Sequence, residues 1–437
     1  MIRRKLMKAS WTIGLSVFLL LVVGLDAFGA DPFDWKRYKG QTVVAGFETL
    51  PYYKFVQSIV GEFETLTGMK VHMDIIPEQQ MRQKKVIELE SRSGSLDVIG
   101  MAMHVEKTLI DEANWYVPLD DFIRNPSLTP PDFNWPDFYP GSVNWVTSKG
   151  GKIMGIPGQF GGDGLFYRKD ILKEKGVAVP KTFAELEEAV KKLHDPPRLY
   201  GFVGRGLKNA NIPIWNGIMV HLGERLQDEA GNVFTTTPLA IEAARMYVRL
   251  MKYAPPGAIG YNWYECQSMF MQGRAAFWYD GVTNNAGAVE EAAKSKVAGK
   301  TGYTALLGPG GKPMAESAQS AMAINPFSQK KEPAWHFIHW ASSAPVQLRA
   351  LLAGTGMPRK SLYQAKEFRS TTHMPEDWLS FMQGYMSGEI NVVPMVPVIK
   401  RVSEYRDIFG VALTKMIEGG DPAALLKEAS EEFAKKK

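Results

Sequence analysis

One cysteine, Cys266, is all that this 437-residue chain has. A single thiol makes neither an internal disulfide nor a metal–thiolate cluster, so the fold must be held by its core. Familiar catalytic signatures are missing as well. There is no G-x-S-x-G elbow, no Walker A loop and no H-E-x-x-H. Gly308–Lys312 lacks the phosphate-loop spacing and reads as a turn. Gly204-Arg205-Gly206 starts like a dinucleotide fingerprint but has no third glycine. Histidines are few. His336 and His339 could share a helix face, but Trp335, Phe337, Ile338 and Trp340 surround them and no carboxylate is near, so core packing is the better reading than metal ligation. No repeat, low-complexity tract or long basic stripe is present, which argues against a nucleic-acid partner. Nothing in the sequence calls for a cofactor.

What is present begins with a leader. Arg3, Arg4, Lys5 and Lys8 precede an uncharged apolar run from Trp11 to Leu25, and Ala27, Gly29 and Ala30 follow. That order is a secretory signal peptide. The run is short of the ~20 apolar residues that a membrane span needs. With no cysteine near the cleavage region, a lipoprotein is not expected. Cleavage near residue 30 predicts a mature chain that starts close to Asp31 and works outside the cytoplasmic membrane. The leader's four basic residues and one acid supply most of the formal +5 charge. Composition is otherwise ordinary, at 45% hydrophobic and 22% charged, so a globular fold of two or three domains is expected.

The pattern is that of an α/β protein. Thr42–Ala45 reads as a strand. Pro51 opens a helix with Phe55, Ile59, Phe63 and Leu66 on one face, stopped by Gly68. Met69, Val71, Met73 and Ile75 alternate with polar residues, as in a strand. A helix over Met81–Ser91 and a buried strand over Asp97–Gly100 complete a parallel unit. Such sheets bind ligands at the carboxyl ends of their strands, here Gly46–Glu48, Pro77-Glu78 and Met101–His104. Pro118–Trp145 reads as irregular surface. Lys152–Pro157 reads as a strand, Gly158–Gly164 as a flexible crossing, and Leu165–Tyr167 as the start of a second α/β region. Thr182 with Glu185 reads as a capping box. Further helices are predicted at Pro238–Tyr253, Tyr264–Gln272, Pro333–Ser343 and Asp421–Ala434, and a strand at Ala276–Tyr279. Glycine-rich breaks at Gly308–Gly311 and Gly354–Pro358 suggest two lobes joined by several strands.

Polar and aromatic residues gather beside these breaks. Sugars and polyols carry hydroxyls, which carboxylates and guanidinium groups bind, and C–H patches, which flat aromatic rings cover. Candidates for the first role are Glu48, Asp163, Arg205, Glu265, Asp280 and Arg359. Candidates for the second are Phe47, Phe160, Trp215, Trp263 and Tyr279. Taken singly, each is equally explained as a solvated charge or a core ring.

Several segments carry a family likeness. Gly151-Lys-Ile-Met-Gly-Ile-Pro157, Leu165-Phe-Tyr-Arg-Lys-Asp170 and Pro180-Lys-Thr-Phe-Ala-Glu-Leu186 resemble the family 1 extracellular solute-binding proteins of bacterial ABC importers, relatives of maltose-binding protein. Phe63–Val71, Gly94–Val98, Val117–Ile123, Met269–Phe277 and Ala323–Trp335 agree with that family in order. Tyr200–Gly206, Pro255–Ala258 and Gly356–Tyr363 are similar to its mannitol and sorbitol binders, although Ala315–Ala321 lacks the tryptophans of that subgroup.

The resemblance implies a two-lobed periplasmic-binding-protein fold of type II, each lobe a sheet flanked by helices. It implies a first lobe over 31–163, a second over 164–305, a return to the first over 306–355 and a helical return to the second over 356–437. Hinges fall near Gly161–Gly164, Thr304–Gly310 and Gly354–Gly356. It also implies a monomer that binds a small carbohydrate or sugar alcohol without chemistry and serves an ABC permease in the membrane. Ligand roles for Asp163, Arg205, Trp263, Asp280 and Arg359 come with it. Three alternatives stay open: a binder of a phosphorylated ligand of the glycerol 3-phosphate type, using Arg205 and Arg359; an exported glycoside hydrolase, using Asp163 and Asp280; and a structural or adhesive protein.

Overall fold

The computed structural model describes residues 33–112 and 115–435, so the expected leader lies outside the described residues. Among those residues no helix is long and apolar enough to cross a membrane. The chain opens with β1 (Thr42–Glu48), α1 (Pro51–Thr67), β2 (Lys70–Ile76), α2 (Glu78–Glu90), β3 (Val98–Ala102) and α3 (Met103–Glu112). Pro51 sits in the first turn of α1, where its missing N–H costs nothing, and Gly68 ends the helix at φ +70°. The buried face of α1 is Tyr52, Tyr53, Val56 and Phe63, one residue round from the expected stripe. Leu66 is exposed.

The expected irregular stretch holds α4 (Asp120–Arg124) and α5 (Pro140–Val146) with two short 3-10 turns between them. It is not simply surface. Phe133 and Phe138 are buried in the first core, beside Trp335. Next comes β4 (Ile156–Arg168), which runs straight through the predicted flexible crossing. Two of its glycines allow close packing. A Cβ on Gly162 would stand 2.5 Å from the Tyr385 ring, and one on Gly164 2.7 Å from Phe381.

The second region contains α6 (Lys169–Lys175), α7 (Phe183–Leu193), β5 (Tyr200–Val203), α8 (Ile212–His221), α9 (Pro238–Met251), α10 (Trp263–Met271), β6 (Ala275–Gly281), α11 (Val282–Val289) and β7 (Thr301–Thr304). Thr182 caps α7 by accepting from the Glu185 N–H at 3.2 Å, while the Glu185 carboxylate reaches Lys181 N–H rather than the cap itself. Then follow β8 (Leu306–Leu307), β9 (Pro313–Ile324), α12 (Lys331–Ala341), α13 (Ala344–Leu352), α14 (Lys366–Thr371), α15 (Glu376–Ser387), β10 (Asn391–Pro394), α16 (Val402–Ile417) and α17 (Pro422–Lys435).

Two sheets share β4. The first runs β2-β1-β3-β9-β4, with β1, β2 and β3 parallel and β9 antiparallel to β3 and β4. β4 pairs with β9 as far as Gly162. From Asp163 onward it pairs with β6, and from Leu165 with β7, in the second sheet. β8 and β10 also pair with β9. One apolar core lies around β1, α1, α12 and α13, and another around α7, α8, α9, α16 and α17. His336 and His339 belong to the first, packed against Phe33 and Trp35, with His336 Nε2 3.1 Å from the Trp35 carbonyl. Burial holds His339 neutral, its pKa lowered to about 3.

Candidate functional site

The parallel arrangement of β1, β2 and β3 sends the chain out of each strand at one end of the sheet, and the next helix starts there. Glu48 closes β1, Glu78 opens α2, and His104 lies in the first turn of α3. Across from them, Asp280 and Gly281 close β6, Asn284 and Asn285 stand in the first turn of α11, and Trp263 opens α10. All of these line one cleft between the two sheets, enclosing about 740 Å³ counted out to its mouth. The size suits a small-molecule site. Asp163 and Gly161 of β4 and Gln319 and Ser320 of β9 form its floor, where the strands cross from sheet to sheet. Arg82 enters from α2 and Arg406 from α16.

Of the residues singled out from sequence, Glu48, Asp163, Arg205, Trp263 and Asp280 line this cleft. Arg205 donates to both carboxylate oxygens of Asp280, with Nε to Oδ2 at 2.8 Å. Trp278 Nε1 (3.2 Å) and the Gly281 N–H (2.8 Å) also donate to Asp280. Burial first, then the neighbouring Asp280 charge, pushes Asp163 well above the usual carboxylate range; Arg205 opposes the shift without cancelling it. Asp163 is therefore favoured as a neutral acid.

Glu48 sits on a buried ion network. Lys85 Nζ lies 3.0 Å from Glu48 Oε1 and 2.6 Å from Glu106 Oε1, and donates to the Gly100 carbonyl at 2.5 Å. Burial works against the Lys85 charge, but Glu106 and Glu48 outweigh it and its pKa is raised. Tyr116 donates to Glu106 Oε2 at 2.9 Å. The other oxygen, Glu48 Oε2, has no partner.

The remaining candidates lie elsewhere. Phe47 is stacked on Tyr53 in the first core, ring centroids 4.1 Å apart, because side chains alternate along β1 and Phe47 faces the opposite side from Glu48. Phe160 stacks on Tyr385 at 5.0 Å. Trp215 is enclosed in α8 and donates to the Ala240 carbonyl at 3.0 Å. Tyr279 is buried and donates to Glu316 Oε2 at 2.5 Å. Glu265 is exposed and completes the capping box of α10. Arg359 is wholly buried, donating to the carbonyls of Phe133, Asn134 and Ser342 and pairing with Asp137 at 3.4 Å. Its fork is fully used in holding the 133–137 segment to the return chain.

Arg82, Asn284 and Arg406 line the cleft and carry no signal in the sequence, whereas Glu78 and His104, which also line it, lie at the strand ends that the sequence marks for ligands. Unpartnered polar atoms concentrate here. Glu48 Oε2, Arg82 Nε, His104 Nδ1, Asn284 Oδ1 and Arg406 Nε are buried without a hydrogen-bond partner. An orphaned buried polar atom costs about 1–3 kcal/mol, and five of them face this one cleft. Donors and acceptors are both represented. Among the described residues no cluster of His, Cys, Asp and Glu could hold a metal ion.

Comparison with known proteins agrees with this geometry. The family model for the bacterial extracellular solute-binding proteins matches residues 48–348. The chain is 23% identical over 416 residues to an erythritol/L-threitol-binding protein of Mycolicibacterium smegmatis, covering 90% of this chain and 86% of that one. Among solved structures, an ABC transporter solute-binding protein of Agrobacterium radiobacter in complex with ribitol superposes with a TM-score of 0.81 at 25% identity, covering 92% of this chain and 98% of that one. Maltose-bound MalE3 of T. maritima shares the fold, with a TM-score of 0.77 at 22% identity over 90% of this chain and 98% of its own. A family match over most of the chain, a fold of two sheets sharing a strand, and a polar cleft between them lead to one conclusion: the chain belongs to the bacterial extracellular solute-binding proteins.

Proposed function

We propose that the chain captures a small polyhydroxy compound, a sugar alcohol or small sugar, in the cleft between its sheets and releases it unaltered to the membrane permease of an ABC importer. The single observation that carries this reading is the set of buried, unpartnered donors and acceptors facing one cleft from both sides. A chain of hydroxyls, each both donor and acceptor, satisfies such a mixed set. The Trp263 indole offers a flat face for the carbon side of the ligand. The erythritol and ribitol binders among its relatives support the same class. Export through the leader, cleavage near residue 30 and a monomeric state belong to this reading.

The lobes in this proposal are 31–163 with 306–355, and 164–305 with 356–437. The switch of β4 from β9 to β6 at Gly162–Asp163 supports the first boundary, and the packing of α16 and α17 on α9 supports the last. Ligand contacts to both lobes favour the closed arrangement. Hydrolysis is the weaker reading. Both Asp280 oxygens are already engaged, which leaves none to attack a glycosidic carbon or to activate water.

A thermal-shift screen over erythritol, ribitol, mannitol and maltose tests the proposal. Binding to the native state raises Tm, so at least one polyol or sugar should do so and be recovered unchanged. A screen with no shift, or recovery of a cleaved or oxidised product, overturns it.

A further inference from the structure

Two guanidinium groups of the cleft are incompletely partnered, and a neutral polyol, whose hydroxyl oxygens can accept from them, brings no charge to balance theirs. Arg82 comes from α2 and Arg406 from α16, on opposite walls, and each buries an Nε–H with no acceptor. Arg205 differs, because the Asp280 carboxylate accepts from its Nε and its Nη2. Arg82 has only Glu78, at 3.4 Å. Arg406 donates to the Asn209 carbonyl at 3.2 Å, and the carboxylate that follows it, Asp407, is exposed and turned to the Asn209 amide at 3.0 Å. His104 lies in the same part of the cleft with an unpartnered Nδ1. Burial and the surrounding Arg82, Arg406 and Arg205 keep it neutral, far below its ordinary pKa. Burial and then Arg82 lower Arg406 to about 9, although Glu78 opposes them. Two cations therefore face one half-buried carboxylate, Glu78, at this end. At the Glu48 end the balance is reversed, with Glu48 and Glu106 sharing one Lys85.

We propose that the ligand is a short polyhydroxy chain carrying a single negative charge, a sugar acid, with its carboxylate between Arg82 and Arg406 and its hydroxyl tail toward Glu48 and Asp163. The inference rests on the proposed polyol-binding reading and sharpens its ligand class. A carboxylate accepts from two guanidinium forks at once and supplies the acceptors that both Nε–H groups lack. It also joins the two walls, so the charge would draw the cleft shut. One missing charge favours a carboxylate over a phosphate ester, which carries about −1.5 to −2 at neutral pH.

Calorimetric titration at neutral pH with ribitol, D-ribonate and ribitol 5-phosphate, and with erythritol and erythronate, tests this. Each acid should bind about tenfold or more tighter than the polyol of the same length, given the strength of charge-assisted hydrogen bonds. Arg406→Gln should cut that acid-to-polyol ratio by about tenfold. Arg82→Gln gives the second measurement if the first variant melts early. An acid no tighter than its polyol, or a ratio unmoved in both variants, overturns the sugar-acid inference while leaving the polyol reading intact. A phosphate ester that outcompetes the acid overturns the single-charge count. No binding by any of the five compounds sinks the polyol reading itself.

Discussion

Arg359 and Arg406 are both buried arginines in the same chain, yet their surroundings are opposite. Arg359 lies under Phe138 and Phe133, its guanidinium carbon 4.1 and 5.2 Å from their ring centres, and every arm of its fork meets a carbonyl or Asp137. Asp137 is itself held by the Ser361 N–H at 2.9 Å and hydroxyl at 2.6 Å. Arg406 has one backbone acceptor and an idle Nε. A buried charge with complete partners is a structural clamp. One with vacant hydrogen-bonding capacity beside a cleft is, in our proposal, a ligand contact. Both are buried arginines, so it is the inventory of partners that separates them.

The sharpest way to break this comparison is Arg359→Met. It strands Asp137 and three carbonyls in a dry site, and removing one member of a buried ion pair costs about 3–5 kcal/mol. Urea unfolding should show that loss, while ligand affinity of the folded fraction stays as it was. Intact stability with abolished binding would move Arg359 into the site.

Gly100→Ala comes next. Its Cβ would stand 2.6 Å from Glu48 Oε2 and 3.0 Å from the Phe47 ring. Overpacking of this kind costs about 1–3 kcal/mol. Because the displaced oxygen is one of the cleft's vacant acceptors, both Tm and affinity should fall. A drop in Tm with affinity unchanged would remove Glu48 Oε2 from the ligand contacts.

Asp163 allows a test by pH. Its folded pKa is raised, so between the ordinary carboxylate range and that raised value the native state holds a proton that the unfolded chain has lost. Stability then declines as pH climbs from about 4 upward through the folded pKa. Asp163→Asn keeps the neutral shape and should abolish that part of the slope. Denaturant midpoints of the two proteins over acid to neutral pH provide the measurement. His221, whose pKa is raised with Glu316 3.1 Å away, titrates in both proteins and cancels in the difference. Parallel curves would mean that Asp163 is charged in the native state.

The same contrast explains how much of the fold and of the cleft is legible in the sequence. β1, α1, β2, α2 and β3 announce themselves through local signals: alternation at Met69–Ile75, a proline at the first turn of α1, a glycine after its last. Parallel order then places Glu48, Glu78 and His104 at one end of the sheet by geometry alone. α8 gives no such signal, since Ile212–His221 is buried on every side and has no polar face to set a period. Arg406 and Arg359 are indistinguishable as letters. Their difference arises from partners 197 and 222 positions away in sequence, Asn209 and Asp137, which no local pattern encodes. What the glycines of the Gly158–Gly164 crossing pack against is hidden for the same reason: Tyr385 and Phe381, which stand over Gly162 and Gly164, are about two hundred residues distant.

Glu265→Ala should have the smallest effect and defines the comparison from the outside. Glu265 is an exposed carboxylate next to a cleft residue, and its side chain accepts from the Asn262 N–H at 2.9 Å while Asn262 Oδ1 accepts from Trp263 N–H at 2.8 Å. It therefore secures the first turn of α10, and Trp263 at the head of that turn is the indole of the cleft. Losing half of a capping box costs about 0.5–1 kcal/mol. Affinity should shift by no more than about threefold, through a slightly looser indole. A tenfold loss of affinity with Tm unchanged would place this carboxylate on the ligand itself. The partner-counting rule would then fail at a residue whose partners are all accounted for.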